Sequence, residues 1–374
     1  MNLPFNHVVV SVLTTAYIAI FLVALSSNIL LFFIIFKRPT MKTTINYLFT
    51  NMAAANLLVA VFIIPYAVRH LFVADTWFGG VLGEISCRLV HFVYAISIAG
   101  SILSLIAISL DQFYTILFPM KRVVVIRNTR IVTMAIWISS LTFMAPYLAM
   151  YGIREMAGQT ECIYIVVDQI IMEIHFSFVF VFLYAFPLVL MGTLYIIIGR
   201  KLWFRTIPGN IHSIHRQAAE LSKRRVIRML IIVIATFALC WLSVQVFHMC
   251  AAFQPHLTRN MASHWSLLIV FIAHANSALN PCLQIALNRK FRGEFSKLLA
   301  TCRKCSMCCF RKKSERRGHR ASKRNMRRIE SVENIKDRIA MWRGRLYDLS
   351  NQGQTLNSIS LVQFSYHNNV EIES

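Results

Sequence analysis

Seven stretches without Asp, Glu, Lys or Arg divide residues 1–288: 1–36, 43–68, 89–110, 131–153, 174–199, 229–258 and 260–288. Each holds the roughly 20 apolar residues that a helix needs to cross a bilayer. One such run can be a buried core helix of a soluble protein. Seven in succession leave too little polar surface for a soluble fold, and charged residues are only 15% of the chain, against about 25% in an ordinary soluble domain. The expected fold class is all-α, a seven-transmembrane helix bundle.

The formal net charge of +23 first suggests nucleic acid. Its placement excludes that reading. Segments 37–42, 121–130 and 200–228 carry three, four and eight Lys+Arg against the single acid Glu220. The alternating segments carry Asp75, Glu84, Glu155, Glu161, Asp168 and Glu173 against Arg69, Arg88, Arg154 and Arg259. The positive-inside rule therefore puts the N-terminus outside and the C-terminus in the cytoplasm. No basic n-region precedes the first run, and that run is too long for an h-region, so no cleaved leader is expected.

The expected domain order follows. Residues 1–7 form a short extracellular segment and 8–287 the seven-helix domain. Residues 288–299 form an amphipathic eighth helix, with Phe291, Phe295, Leu298 and Leu299 among Arg and Lys. Residues 300–374 form a basic tail, read as largely disordered from its composition. Within the spans, Asn28, Asn51 and Asn56 should face the bundle because Asn is costly in hydrocarbon. A shared polar cluster with Ser101, Ser104 or Ser109 is expected. Pro65 should kink the second helix.

The cysteines sort by topology. Cys87 and Cys162 are the two placed outside, where oxidising conditions favour a disulfide; two free thiols are the alternative. Cys302, Cys305, Cys308 and Cys309 lie in the basic tail. Their spacing also suits metal ligands, but no His or further pair completes a closed site, and thioacylation fits their position beside an amphipathic helix better. No metal and no cofactor are expected.

Enzyme signatures are missing: His-Glu-x-x-His, a phosphate-binding glycine loop and a Gly-x-Ser-x-Gly elbow. Transporter and channel readings lack charged groups at the span centres and broken helices in paired repeats. His91, His175, His248, His264 and His274 cluster at the outer ends of the spans. With Tyr94, Glu173, Trp241 and Gln245, they make an expected polar outer cavity; each taken singly is a packing residue.

Read in order, these features resemble the rhodopsin-like (class A) G-protein-coupled receptors over about residues 10–300. Asn28 matches the helix 1 asparagine, and Asn51-Met52-Ala53-Ala54-Ala55-Asn56 the helix 2 motif. Asp111-Gln112-Phe113 stands where the family has Asp-Arg-Tyr. Trp137 matches helix 4, and Pro187 with Tyr195 match helix 5. Phe237 to Ser243 resembles Phe-x-x-Cys-Trp-x-Pro, and Asn280-Pro281-Cys282-Leu283-Gln284 resembles Asn-Pro-x-x-Tyr. The departures matter. Asn56 replaces the aspartate that helps hold sodium in the family, and Gln112 replaces the arginine that contacts the G protein. Ser243 removes a proline kink, Gln284 replaces a tyrosine, and Lys223 stands where an acidic partner would be.

The resemblance implies a receptor that couples an extracellular ligand to a heterotrimeric G protein, with arrestin as a second cytoplasmic partner. Tyr94 falls where amine receptors have an aspartate, which argues against amines. Thr43 to Leu48 and Trp77-Phe78-Gly79 resemble neuropeptide receptors, and the acidic outer segments would attract a basic or amidated peptide. A lipid, another small molecule or no ligand are the alternatives. Gln112 supports a second class of function: a decoy, scavenger or dimer partner with the receptor fold. Membrane lipids, anionic ones at the tail, are the remaining expected partners.

Overall fold

The computed structural model describes residues 6–118, 128–156, 158–203, 213–259 and 263–351, and every structural statement refers to these. Residues 121–127 of the basic inner segment expected at 121–130, residues 208–210 of the segment 200–228 and the tail beyond Asn351 lie outside them. The chain divides into two units, Met1–Lys297 and Leu298–Ser374.

The first unit holds seven helices long and apolar enough to span a bilayer. They are α1 (His7–Lys37), α2 (Thr44–Val73), α3 (Gly80–Leu117), α4 (Thr129–Met150), α5 (Gln169–Trp203), α6 (Ser213–Phe253) and α7 (Ser263–Leu287). Unlike the helices of a soluble bundle, they are apolar on the outside as well as inside. Val8, Val12, Leu22, Ile29 and Phe33 on α1 are exposed, whereas Asn28 is fully buried. A bundle in hydrocarbon shows apolar side chains to lipid, packs others in its interior and turns its few polar ones to neighbouring helices. α3 is central and packs on α2, α4 and α5, while α7 packs between α1 and α6.

Prolines shape two helices. In α2 the Ile64 amide donates to the Val59 carbonyl, five residues back. In α5 the Phe186 amide does the same to Val181. Each wide turn lies just ahead of a proline, Pro65 or Pro187. A proline ring clashes with the carbonyl four residues earlier, and a widened turn relieves that clash. α6 carries Ser243 in place of proline and runs unbroken from Ser213 to Phe253.

The outer segment after α4 folds into a hairpin of β1 (Tyr151–Met156) and β2 (Gln159–Tyr164), in antiparallel register from Tyr151↔Tyr164 to Met156↔Gln159. Gly158 takes a φ of 79° in its turn, a conformation that favours glycine. The other edge of β2 is partly paired as well. Thr76 bridges to Glu161, the Trp77 amide donates to the Thr160 carbonyl at 2.6 Å and the Cys162 amide to the Asp75 carbonyl at 2.9 Å.

The expected eighth helix begins as α8 at Arg289, after the Asn288 side chain accepts from the Lys290 amide at 3.0 Å. Phe291 is fully buried and meets Phe49 edge-on, and Arg38 pairs with Glu294 at 2.9 Å. The helix extends to Asn351, well past residue 299. No proline follows Pro281, and 300–351 is rich in Arg, Lys, Glu, Ala and Met, all good helix formers. In the second unit, residues 322–345 of this helix are exposed all round.

Candidate functional site

The hairpin is fixed over one end of the bundle. Cys87, near the start of α3, is bonded to Cys162 on β2 across a sequence separation of 75 residues. Glu84, one turn earlier, accepts from the Ile153 amide of β1 at 2.8 Å and from Arg88 Nε at 2.6 Å. Arg88 also donates to the Leu148 carbonyl at 2.7 Å. Arg69 lies 4.3 Å above the Trp77 ring and donates to the Thr76 carbonyl. The lid is thus held by a covalent bond, a carboxylate–amide bond, backbone pairing and a cation–π contact.

Beneath it is a cavity of about 270 Å³. Five tyrosines line it, Tyr17, Tyr66, Tyr94, Tyr147 and Tyr151, with four histidines, His70, His91, His248 and His274. Phe176, Ser266 and aliphatic residues of α2, α3 and α7 complete the wall. Among the described residues no Asp, Glu, Lys or Arg lines it. The rings order one another. His91 stacks on Tyr151 at 3.8 Å, Phe176 on His248 at 4.8 Å, and Tyr17 Oη shares a hydrogen bond with His274 Nδ1 at 3.2 Å. Burial, and then the neighbouring tyrosine hydroxyls, push the Tyr151 hydroxyl well above the ordinary tyrosine range; burial raises Tyr164 too. The lid tyrosines therefore stay neutral at physiological pH.

Of the expected ligand residues, Tyr94, His248 and His274 line the cavity, and Glu173, Trp241 and Gln245 do not. Glu173 accepts from Gln169 at 3.1 Å, one turn back on α5. Gln245 is buried, 4% exposed. Trp241 lies below the floor, its ring 6.1 Å from that of Tyr94. Tyr17, Tyr66, Tyr147, Tyr151, Phe176 and His70 were not singled out by sequence reasoning. Tyrosine near the outer end of an apolar span was the available signal, and it is masked by the aromatic belt common to membrane proteins. His175 is buried behind the wall against Tyr147; the side chain of His264 lies outside the described residues.

Below Trp241 is a gap of about 10 Å³ lined by Asn56, Ser97, Ser101, Asn276 and Ser277, with no carboxylate. Asn56 donates to Asn28 Oδ1 at 3.3 Å, and Asn28 donates to the Ser277 carbonyl at 3.1 Å. The expected single polar cluster is divided. Asn51 accepts from Trp137 at 3.0 Å, Ser104 donates to its own helix at Gly100, and Ser109 donates to Tyr195 Oη at 3.2 Å. Serine on a helix satisfies itself on the turn before it, so only those at a close helix contact join a network. In α7, Asn280, Pro281 and Gln284 are all buried.

Towards the other end of α3, Gln112 donates to Asp111 Oδ2 at 3.1 Å. Arg224 on α6 donates to the Leu202 carbonyl of α5 at 2.7 Å and lies 5.8 Å from the Trp203 ring. The side chains of Cys302, Cys305, Cys308 and Cys309 are outside the described residues.

Comparison with known proteins agrees with this geometry. The profile "7 transmembrane receptor (rhodopsin family)" matches residues 27–283. The Neuromedin-K receptor of Mus musculus is 30% identical over 298 residues, 77% of this chain and 63% of that protein. The chain thus spans a little under two thirds of that relative. The QRFP-like peptide receptor of Branchiostoma floridae is 29% identical over 304 residues, 76% of each chain. By profile and by fold, the chain belongs to the rhodopsin family of seven-transmembrane receptors.

Proposed function

We propose that the protein is a G-protein-coupled receptor for an extracellular peptide. The observation that carries this reading is the lidded cavity, walled by tyrosine and histidine and free of charged side chains among the described residues. A buried cation such as an amine would need a carboxylate partner there, and none lines the wall. A peptide can insert an uncharged end, an amide or aromatic residues, and leave its basic part to the acidic segments 154–173. Relatives named as neuromedin-K and QRFP-like peptide receptors support a peptide ligand. Tyr94, His248 and His274 are the proposed contacts within the cavity. Trp241 and Gln245 act from below it, and Glu173 on the approach.

In this reading the N-terminus is extracellular and the C-terminus cytoplasmic, in the plasma membrane. Asn28, Asn56, Tyr195, Trp241, Asn280, Pro281 and Gln284 carry the rearrangement from cavity to cytoplasm, and Asp111 and Gln112 meet the G protein. Arrestin would bind the same face. One or more of Cys302, Cys305, Cys308 and Cys309 carries a thioester-linked acyl chain that holds α8 to anionic lipid; acyl-exchange labelling without a hydroxylamine-sensitive signal would refute this. No catalysis and no cofactor enter.

Gln112 favours a second reading, a receptor-fold decoy, scavenger or dimer partner with weak coupling. Nucleotide exchange on a panel of G proteins, driven by a library of amidated and basic peptides, separates the two. Peptide-dependent exchange supports the receptor. Peptide binding with no exchange on any G protein supports the decoy.

A further inference from the structure

Residues 329–345 of α8 carry an amphipathic pattern that the receptor function leaves unused. At about 100° per residue, Val332, Ile335, Ile339 and Trp342 fall within an arc of about 80°. All four are roughly half exposed. Arg338 and Arg345 lie along one border of the stripe, and Lys336 and Arg343 along the other. Glu330, Glu333 and Asp337 cluster at the opposite pole. Arg328, one turn before Val332 and in line with the stripe, ends it on the N-terminal side, and Ile329 and Met341 fall off it. Residues 323–345 together hold eight Lys+Arg against three Asp+Glu.

We infer that this segment is a membrane-surface helix that lies in the plane of the anionic cytoplasmic leaflet. The inference rests on the cytoplasmic placement of the C-terminus proposed above. The order around the helix, apolar stripe, flanking cations, acids opposite, is what a flat anionic surface selects. The stripe enters the acyl boundary, and Trp342 suits the interface. The bordering Lys and Arg bury their stems and carry their charges to phosphates. Glu330, Glu333 and Asp337 face water, away from lipid of their own sign.

Two other occupants fit less well. In a parallel pair with a second copy, Val332, Ile335, Ile339 and Trp342 would form the seam. Lys336 and Arg343 would then face Arg338 and Arg345 of the other copy, like charge against like, at the positions that decide pairing. The stripe is also shorter than the three to four heptads of a stable coiled coil. An acidic calcium-sensor protein that wraps its target would enclose the acidic pole along with the stripe.

The test is hydrogen exchange on the full-length receptor in nanodiscs of phosphatidylcholine alone or mixed with phosphatidylserine. In the anionic discs, amides of 329–345 should exchange roughly tenfold more slowly than in neutral ones, as docking suppresses local opening. Each flanking cation is worth about fivefold in partitioning, so K336E/R338E/R343E should abolish the difference. I335E/I339E should abolish it too. Both variants lie in the second unit, and exchange within the seven-helix unit serves as the folding control. Equal exchange in both lipids, or protection that survives K336E/R338E/R343E, overturns the inference. Protection that appears only with added calcium and calmodulin overturns it in favour of a protein partner. A C-terminal epitope read on intact and permeabilised cells tests the topology separately. An epitope accessible on intact cells overturns both the topology and the inference. An epitope accessible only after permeabilisation, with no lipid-dependent protection, overturns the inference alone.

Discussion

The lid end and the opposite end of the bundle are held by different kinds of contact. At the lid, the start of α3 carries a disulfide, the Glu84–Arg88 pair and a carboxylate–amide bond to β1, and the hairpin is paired on its other edge by residues 75–77. At the far end of α3, Gln112 bonds only its neighbour Asp111 among the contacts resolved for it, and α5 is tied to α6 through Arg224 and the Leu202 carbonyl. One end is fixed by covalent and charged contacts around a cavity. Among the described residues the other carries no covalent cross-link and is joined by side-chain contacts such as Arg38–Glu294 and Arg224 on the Leu202 carbonyl. A covalent closure restricts rearrangement around it, so we expect a ligand to shift the equilibrium between two arrangements mainly at the Gln112 end.

The largest effect tests the fixed end. Replacing Cys87 or Cys162 by Ala opens a closure of 75 residues. Loss of a bond over such a loop costs roughly 4 kcal/mol in the chain-entropy account, with 2–5 kcal/mol typical. Either variant should lose most surface expression and ligand binding. A non-reducing peptide map that finds both thiols free in the wild type would remove the basis of the comparison.

Gln112 tests the mobile end. Gln keeps two N–H donors and an acceptor oxygen but has no charge. A charged donor contributes roughly 1.5–3 kcal/mol where a neutral one contributes about 1. A deficit of about 1–2 kcal/mol is a factor of roughly 5–30 in the coupling equilibrium. Gln112→Arg should therefore raise agonist-driven nucleotide exchange at matched surface expression. Asp111 would gain a charged neighbour, which also steadies the resting state, so basal exchange should rise less than the agonist response. Equal exchange by wild type and variant would show that no arginine is needed here; silence from both would favour the decoy.

The two ends also differ in how far they were legible in the sequence. Span number and order follow from hydrocarbon thickness and charge placement, and all seven helices lie where those rules put them. The hairpin was hidden. Tyr151 to Met156 and Gln159 to Tyr164 are short, their alternation is broken by charges, and Gly158 is a lone turn signal. The cavity was half legible. Histidines in apolar spans draw notice, whereas tyrosines at the interface do not. Depth was the other difficulty. Trp241, Gln245 and His248 share a helical face, yet only His248 is high enough on α6 to reach the cavity. Periodicity gives the face of a helix but not where along it a cavity ends, because that depends on what the neighbouring helices place there.

Glu84 sharpens the account of the lid. Glu84→Gln keeps the shape and removes the charge that holds Arg88 and the Ile153 amide. The site is partly exposed, with side-chain accessibilities of 32% for Glu84 and 37% for Arg88, so solvent screening reduces the loss to about 1 kcal/mol. Binding should weaken severalfold while the disulfide and expression persist. Radioligand saturation checks the affinity, and an effect as large as that of Cys162→Ala would mean that the charge, not the disulfide, anchors the hairpin.

Tyr17→Phe should have the smallest effect and locates the boundary between the two regions. Tyr17 is 2% exposed, meets Phe271 edge-on at 5.1 Å and shares its hydroxyl with His274 Nδ1. His274 lies edge-on to Tyr94 at 5.4 Å, and Tyr94 is 6.1 Å from Trp241. These rings lead from the cavity wall to the floor above Asn56. The phenylalanine ring keeps all packing and loses one neutral hydrogen bond, a cost of about 0.5–1.5 kcal/mol, or roughly two- to tenfold. If the ring series only shapes the cavity, the whole loss should appear in ligand affinity, with the maximal exchange rate unchanged. If it also carries the ligand's effect toward α6, maximal exchange should fall together with affinity. We expect the first result, since Tyr17 touches the cavity and its bond stays within the α1–α7 wall. A matched fall in maximal exchange would move the border of the mobile region outward, from Trp241 to His274.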